Sequence, residues 1–482
     1  MAKDNNWQIN IKFFNGYVNA WFENSYPFFG NKNMSSSMVD INLIDPNVLT
    51  QGPGTADLTA GTQTGAVTTL ITKILPIVTS TDKSFAFGGA ELYEINATTV
   101  TNTGNFPYTI TGAGTIVGQD LIYYKGKLLY SYLDGTTGKI GSYDLSSTFV
   151  VDYWAGVLGG TALGNNPHYM IQGGDDIIYI TNGQYIATLD DTTAVAQGLA
   201  FWDDAQTVSL AWNNDKVIVA VNRPNVSGSN FNLSGIYTWD GITSWDSNPI
   251  NVNGQIGALY TKNGVTFVWW KDSTQTGGYN LGFISGGQLE NIRRFSGSLP
   301  NQNQVGEYNG HLMFVSSNKV YLWGARDKEL PVKLFQYISG KHATIGAIGT
   351  PFGDLLVSSN LTTSYALSKG SGYSIGAKYS TIAFDVSDSE VLSSIDTIQV
   401  RTEALATGAK LDTTLKYNQA ISTQALTQIA YVAGTKTRHK ILTKTISDIE
   451  DFRLDLSWAN GSATNPVKVR SILIKGKYNT YK

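Results

Sequence analysis

The stretch Gly126-Lys127-Leu128-Leu129-Tyr130-Ser131-Tyr132-Leu133-Asp134-Gly135, continued by Ile140-Gly141-Ser142-Tyr143-Asp144, decides the fold. Two apolar and aromatic runs flank a polar Asp-Gly turn, which is the chemistry of a β-hairpin. The unit recurs along the chain. Its first apolar residues are Phe85, Leu128, Ile177, Val217, Val265, Leu312 and Leu355, at intervals of 43, 49, 40, 48, 47 and 43 residues. Most follow a Gly or Asn turn, as at Lys125-Gly126, Gly173-Gly174, Asn213-Asn214, Asn263-Gly264 and Asn309-Gly310. A second strand ending in aromatic or acidic residues comes next in several units, such as Ile236-Tyr237-Thr238-Trp239-Asp240 and Val320-Tyr321-Leu322-Trp323.

A period of about 45 residues holds four short strands with their turns, the size of one propeller blade. Helical periodicity is nearly absent, so the helical solenoids of similar period are excluded. The expectation is an all-β chain whose residues 37–375 form a β-propeller. Seven blades are expected, or six if the weak Phe85 unit belongs to an irregular N-terminal segment. The strand around Val39–Leu43 is expected to complete the last blade and close the ring.

The flanks differ in character. In residues 1–36, Trp7, Ile9 and Ile11 alternate with polar neighbours, and Phe13, Phe14, Tyr17, Trp21, Phe22, Tyr26, Phe28 and Phe29 then crowd together. This reads as an aromatic N-terminal arm that packs either on its own domain or on another subunit. At Gly370-Ser371-Gly372 the punctuation changes, and beyond it the strands lengthen. Phe452, Leu454, Leu456 and Trp458 alternate with Arg453, Asp455 and Ser457, the pattern of a strand buried on one face. Residues 376–482 are expected to form an antiparallel β-sandwich of jelly-roll or lectin-like type. They carry 14 Lys and Arg against 10 Asp and Glu, whereas the chain as a whole has a net charge of −3.

Composition narrows the function. Only 15 % of residues are charged, while Gly (50), Tyr (26) and Trp (11) are plentiful, which fits turn-dense β structure and opposes disorder. Without an overall basic field, no sequence-specific nucleic-acid partner is expected. Cysteine is absent, which excludes disulfides, thiolate metal sites and a cysteine nucleophile. No run approaches the ~18 apolar residues of a membrane helix, and Met1–Asn6 leads into no apolar leader core. The expectation is a protein without a transmembrane segment, made in a cytoplasm.

The candidate chemical groups are scattered. His168, His311, His342 and His439 lie far apart, with no metal-binding spacing. Gly372-Tyr373-Ser374-Ile375-Gly376 matches a nucleophile elbow in letters, but the strand-like Lys378–Phe384 follows where a helix is required. Asp134, Asp175, Asp176, Asp215, Asp240, Asp354 and Glu307 occupy strand ends where a propeller glycosidase would place its carboxylates. Asp beside Gly or Asn is equally the ordinary residue of a tight turn. In Trp239-Asp240-Gly241 the Asp and Gly are adjacent, so the spaced Asp-box of sialidases is not matched. Trp269-Trp270 and Tyr123-Tyr124 point to opposite faces of their strands and serve either inter-blade packing or sugar stacking. Gly159-Gly160-Thr161 lacks the Lys and the following helix of a phosphate loop. Lys468, Arg470, Lys475, Lys477 and Lys482 are expected to decorate one face of the sandwich, with docking of an acidic partner as the sharper alternative. No catalytic, cofactor-binding or metal-ligating residue is assigned, and no cofactor is expected.

The segment Ser37-Met38-Val39-Asp40-Ile41-Asn42-Leu43, followed by Pro46 and Gly52-Pro53-Gly54, resembles the entry segment of phage tail-associated propeller proteins of nozzle or tail-tip type. Blade units such as Tyr124–Tyr130 and Tyr237–Gly241 are similar to that group. The resemblance implies a non-enzymatic structural virion protein, assembled in the host cytoplasm as a homo-oligomeric ring that docks other virion proteins. The alternatives are a carbohydrate- or receptor-binding protein, with a host surface glycan as its partner, and a propeller glycosidase.

Overall fold

The computed structural model describes residues 6–12, 35–44, 48–60, 67–76, 84–96, 99–101, 105–223, 234–242, 248–274, 276–324, 333–339, 344–361, 364–386, 392–432, 436–459 and 461–479. Seven sheets, antiparallel except where Thr99–Val100 pairs parallel with Thr59–Ala60, follow one another along the chain and form a ring of seven blades. The innermost strands, in order, are Lys73–Pro76, Ile116–Tyr124, Met170–Gln172, Gln206–Asn213, Gly254–Lys262, Val305–Tyr308 and Thr344–Gly349. The last of these packs beside the first, which closes the circle. The expected β-propeller is therefore observed, and the weak Phe85 unit is a genuine blade.

The repeating anchors prove to be the second strand of each blade, not the innermost one. Ser84–Gly88, Lys127–Asp134, Ile178–Asn182, Lys216–Asn222 and His311–Ser316 are buried along nearly their whole length. Adjacent blades cover both faces of such a strand, so it reads as a continuous apolar run. The innermost strands carry a weaker signal because several are broken by bulges. Register shifts fall between Gly118 and Asp120, Thr207 and Ser209, Ile256 and Ala258, and Ile345 and Ala347. Four of the turns joining first to second strands have two successive positive φ angles, among them Asn263 (51°) with Gly264 (77°) and Asn309 (47°) with Gly310 (75°). That geometry matches the twist of a two-residue hairpin, and Asn-Gly adopts it at least cost.

Ring closure corrects one expectation. The outermost strand of the seventh blade is Gly54–Asp57, paired with Ser364–Ser371 and pinned by Ser368 Oγ donating to Asp57 Oδ1 at 2.8 Å. The Val39–Leu43 region is divided by Asp40, whose φ of 48° ends one strand and starts another. Ser35–Val39 pairs with Lys378–Thr381 in the sandwich, and Ile41–Asn42 pairs with Thr50–Gln51. The Asp40 carboxylate accepts hydrogen bonds from Gln336 Nε2, Ser339 Oγ and Ser374 Oγ, which fixes that turn against the sixth blade.

The sandwich is built from both ends of the chain. One sheet runs Asn6–Lys12, Val469–Tyr478, Ser393–Thr402 and Arg438–Lys440, with Ile446–Ile449 also on Ser393–Thr402. The other runs Ser35–Val39, Lys378–Thr381, Asp451–Ser457, Lys410–Tyr417 and Ser422–Ala425. The described parts of the expected arm are thus sandwich strands, and Trp7 stacks on Phe452 with ring centroids 6.0 Å apart. The aromatic crowd from Phe13 to Phe29 lies outside the described residues. A continuous core joins sandwich residues such as Ile398, Leu454 and Ile472 to Phe335 and Val357 of the sixth and seventh blades through Ile41, Leu43 and Leu49.

Candidate functional site in the propeller channel

Between the outermost strand of the fifth blade and Val305 of the sixth, the chain crosses the central channel. Asn301 caps a short 3-10 turn, Gln302–Gln304, in a reciprocal capping box. Gln302 Oε1 accepts from Ser209 Oγ at 2.9 Å and from Leu210 N at 2.7 Å on the fourth blade. Asn303 Oδ1 accepts from Lys73 Nζ at 2.9 Å on the first blade, and Asn303 Nδ2 donates to the Gln119 carbonyl at 2.9 Å on the second. Gln304 Nε2 donates to the Ile345 carbonyl at 2.7 Å on the seventh. Gly257 of the fifth blade lies so close to the Pro300 carbonyl that a Cβ there would approach it to 2.3 Å. A segment that touches blades on all sides fills the channel as a plug. Three amide side chains suit this position because each can both donate and accept across a ring of bulged backbone.

Asp120 anchors the plug from the second blade. Fully buried, it accepts from Lys73 Nζ at 2.8 Å and Leu121 N at 2.9 Å through Oδ1, and from Met170 N at 2.7 Å through Oδ2. A buried carboxylate is tolerated when its charge is paired and its lone pairs are filled, as here.

Among the innermost strands, the plug is the floor of a pocket of about 350 Å³. Gln302 and Lys73 form its polar base, and Ile171, Trp212, Tyr260 and Thr261 contribute to its walls. Trp212 stacks on Tyr179 with centroids 6.0 Å apart and planes inclined by 23°. The indole also rests over Gly173, where a Cβ would come within 2.9 Å of the ring. Burial, aided by the charge of Glu307, pushes the Tyr260 phenol up to about 12, so it stays protonated and able to donate at neutral pH. At the fifth–sixth seam Lys262 Nζ pairs with Glu307 Oε1 at 2.9 Å and donates to the Gly310 carbonyl.

The carboxylates singled out from sequence do not converge. Glu307 lies on an innermost strand; Asp134, Asp175, Asp176, Asp215, Asp240 and Asp354 do not. Asp134 accepts from Lys139 Nζ and the Gly114 and Ala113 amides, which hold its carboxyl below the usual range. Asp175 accepts from the Tyr179 hydroxyl at 2.5 Å, and Asp240 from Ile242 N at 3.0 Å. Asp176 and Asp215 are turn residues with φ of 62° and 58°, and Asp354 follows the Pro351–Gly353 turn. Asp120 escaped the sequence reading. Its signal was a lone acid inside Ile116–Tyr124, an otherwise uncharged strand.

The remaining candidates are structural. His168 is buried, its ring nitrogens have no hydrogen-bond partner among the described residues, and burial lowers its pKa to about 4. His311 Nδ1 sits 2.9 Å from the Asn309 carbonyl, and His439 Nε2 lies 3.1 Å from Thr402 Oγ1. His342 lies outside the described residues. Among the described residues no group of three or more His, Asp and Glu side chains could hold a metal ion. Ser374 Oγ donates to Asp40 within the turn between Ser364–Ser371 and Lys378–Thr381, not in an elbow. Trp269 packs against Phe314 of the sixth blade and Trp270 in the core shared with the fourth. Tyr124 is buried while Tyr123 is exposed. The Thr161 carbonyl accepts from Trp154 Nε1, so Gly159-Gly160-Thr161 is a packing turn.

No family model matches the chain, and no curated protein matches it. Similar solved structures include an exo-β-1,3-galactanase from Phanerochaete chrysosporium, at 10 % identity and TM-score 0.32, covering 88 % of this chain and 100 % of that one. A glycoside hydrolase family 43 arabinoxylan arabinofuranohydrolase from Bacillus subtilis shows 11 % identity and TM-score 0.26, covering 86 % and 96 %. Extracellular domains 1–2 of Drosophila semaphorin 1a show 9 % identity and TM-score 0.43, covering 66 % and 88 %. At these values the likeness does not reach individual residues. None of the three is a virion protein and two are glycoside hydrolases. The expected non-enzymatic structural role in a virion is therefore withdrawn, together with the expectation that the chain is no enzyme.

Proposed function

We propose that this propeller binds carbohydrate in the pocket above the plug. The observation that carries the reading is the joining of Trp212 and Tyr260 with the Gln302 amide in one concave space of about 350 Å³. Sugars present apolar C–H faces that stack on aromatic rings, and hydroxyls that exchange hydrogen bonds with amides, phenols and ammonium groups. The volume falls in the range of roughly 300–1,000 Å³ typical of small-ligand sites. The base is pre-organised: Gln302 is held by Ser209 and Leu210, so little ordering is required on binding.

The test is a glycan array followed by titration calorimetry on the best binder. Trp212→Ala is expected to weaken binding at least tenfold while thermal unfolding shows the fold intact. An array without a binder, or a Trp212→Ala variant that binds as well as the parent, refutes the site.

A further inference from the structure

We infer that the outer face of the sandwich sheet containing Ser393–Thr402 and Val469–Tyr478 is a second site, which binds an acidic polysaccharide. Ile11, Ile398, Val400, Ile472 and Ile474 are buried, so the alternate residues of these strands face outward. Register then arranges the outward side chains in rows. Arg401 lies between Ser471 and Arg438; Gln399 lies between Leu473 and Lys440; Lys475 lies between Gln8 and Thr397. Arg438 and Lys440 flank the buried His439 and therefore share the outward side.

Successive rows are about 6.8 Å apart and neighbouring strands about 4.8 Å apart, so the face is a ladder of positive charge along the strand direction. Arg401, Arg438, Lys440 and Lys475 are exposed, and among the described residues none of them is in an ion pair. The nearby carboxylates are already engaged. Glu403 pairs with Arg470 and Lys468, and Asp396 lies 4.0 Å from Lys477. The same register sets Arg401 directly opposite Arg438. Like charges across a strand pair are destabilising, and an anion bridging two guanidinium groups removes that cost.

The occupant is a polymer because the charges recur from row to row. It is a polysaccharide because the positions between the cations offer amides and hydroxyls, from Gln8, Gln399, Thr397 and Ser471, to its sugar hydroxyls. These three rows present no aromatic ring on which a nucleic-acid base could stack. The site is independent of the channel pocket.

Affinity electrophoresis of the full chain through gels containing polygalacturonate, dextran sulfate or neutral dextran tests the inference, and the first two separate a uronate from a sulfate ligand. Retardation is expected in at least one acidic gel and not in the neutral one, and it should weaken as salt screens the face. Arg401→Gln/Arg438→Gln should reduce affinity at least tenfold without lowering the unfolding temperature, since it removes a repulsion. No retardation in either acidic gel, or undiminished retardation of the double variant, overturns the inference. Tighter binding of single-stranded DNA than of either polysaccharide overturns the assignment of the occupant.

Discussion

Asp120→Ala is the sharpest test of the plugged channel. In the folded chain this carboxylate neutralises Lys73 at 2.8 Å and fills the amide bonds of Leu121 and Met170 at 2.9 and 2.7 Å. Truncation leaves an ammonium with Asn303 Oδ1 as its remaining partner in the network, and two amides in a region where Leu121 and Met170 are 1 % and 3 % exposed. Breaking a buried pair by removing one partner costs about 3–5 kcal/mol. Lys73 retains 20 % side-chain exposure, so water screens part of its charge and the lower end of that range applies. Each orphaned amide adds about 1–3 kcal/mol unless water enters to pair it. These terms overlap, and a net loss of about 4 kcal/mol is expected. Lys73→Met together with Asp120→Ala should recover about 1–2 kcal/mol by removing the stranded ammonium. A chain of propeller plus sandwich need not unfold in one step, so the readout is amide hydrogen exchange at Leu121 and Met170, supported by thermal scans. A loss below about 1 kcal/mol, with exchange at Met170 unchanged, would refute the assignment of Asp120 as the anchor.

Gln302→Ala removes the acceptor of Leu210 N and Ser209 Oγ and should cost about 1–3 kcal/mol, seen as faster exchange at Leu210 and as weaker glycan binding through loss of the pocket base. His168, neutral when buried, has a folded pKa near 4 against about 6.5 unfolded, so between these values the unfolded chain binds more protons. Stability should therefore fall as pH drops from about 6.5 to 4, by up to about 1.4 kcal/mol per pH unit. The slope should be reduced in His168→Met, and an unaltered pH profile of the unfolding temperature would show that His168 does not titrate on unfolding.

What was legible in the sequence was what each blade does for itself. The second strand of a blade is covered on both faces, so Lys216–Asn222 and His311–Ser316 announce themselves without knowledge of their neighbours. The plug could not be read this way. Asn301-Gln302-Asn303-Gln304 has the composition of an ordinary polar loop, and its partners Lys73, Gln119, Ser209 and Ile345 belong to four different blades. The closing strand was misplaced for a related reason. Ser37–Leu43 alternates more clearly than Gly54-Thr55-Ala56-Asp57, but the turn at Asp40 and pairing with Lys378–Thr381 carry the better pattern into the sandwich. The basic face was half legible: Lys475 was singled out, while Arg401, Arg438 and Lys440 join it only through register.

The two proposed sites differ in the forces they use, and that difference separates them in solution. The pocket relies on aromatic walls and a neutral amide, so salt should alter its affinity little. The sandwich face relies on exposed cations, whose reach shrinks to about 3 Å at 1 M ionic strength. A neutral oligosaccharide should then bind equally well at low and high salt, whereas an acidic polymer should lose the contribution of the face as salt rises. A single polymer engaging both sites would bind at low salt more tightly than the stronger site alone, because the second contact becomes intramolecular. Arg401→Gln/Arg438→Gln would abolish that excess and leave the salt-insensitive component in place. If the excess survived in that double variant, the enhancement could not arise from the basic ladder, and the pocket itself would have to hold the acidic groups.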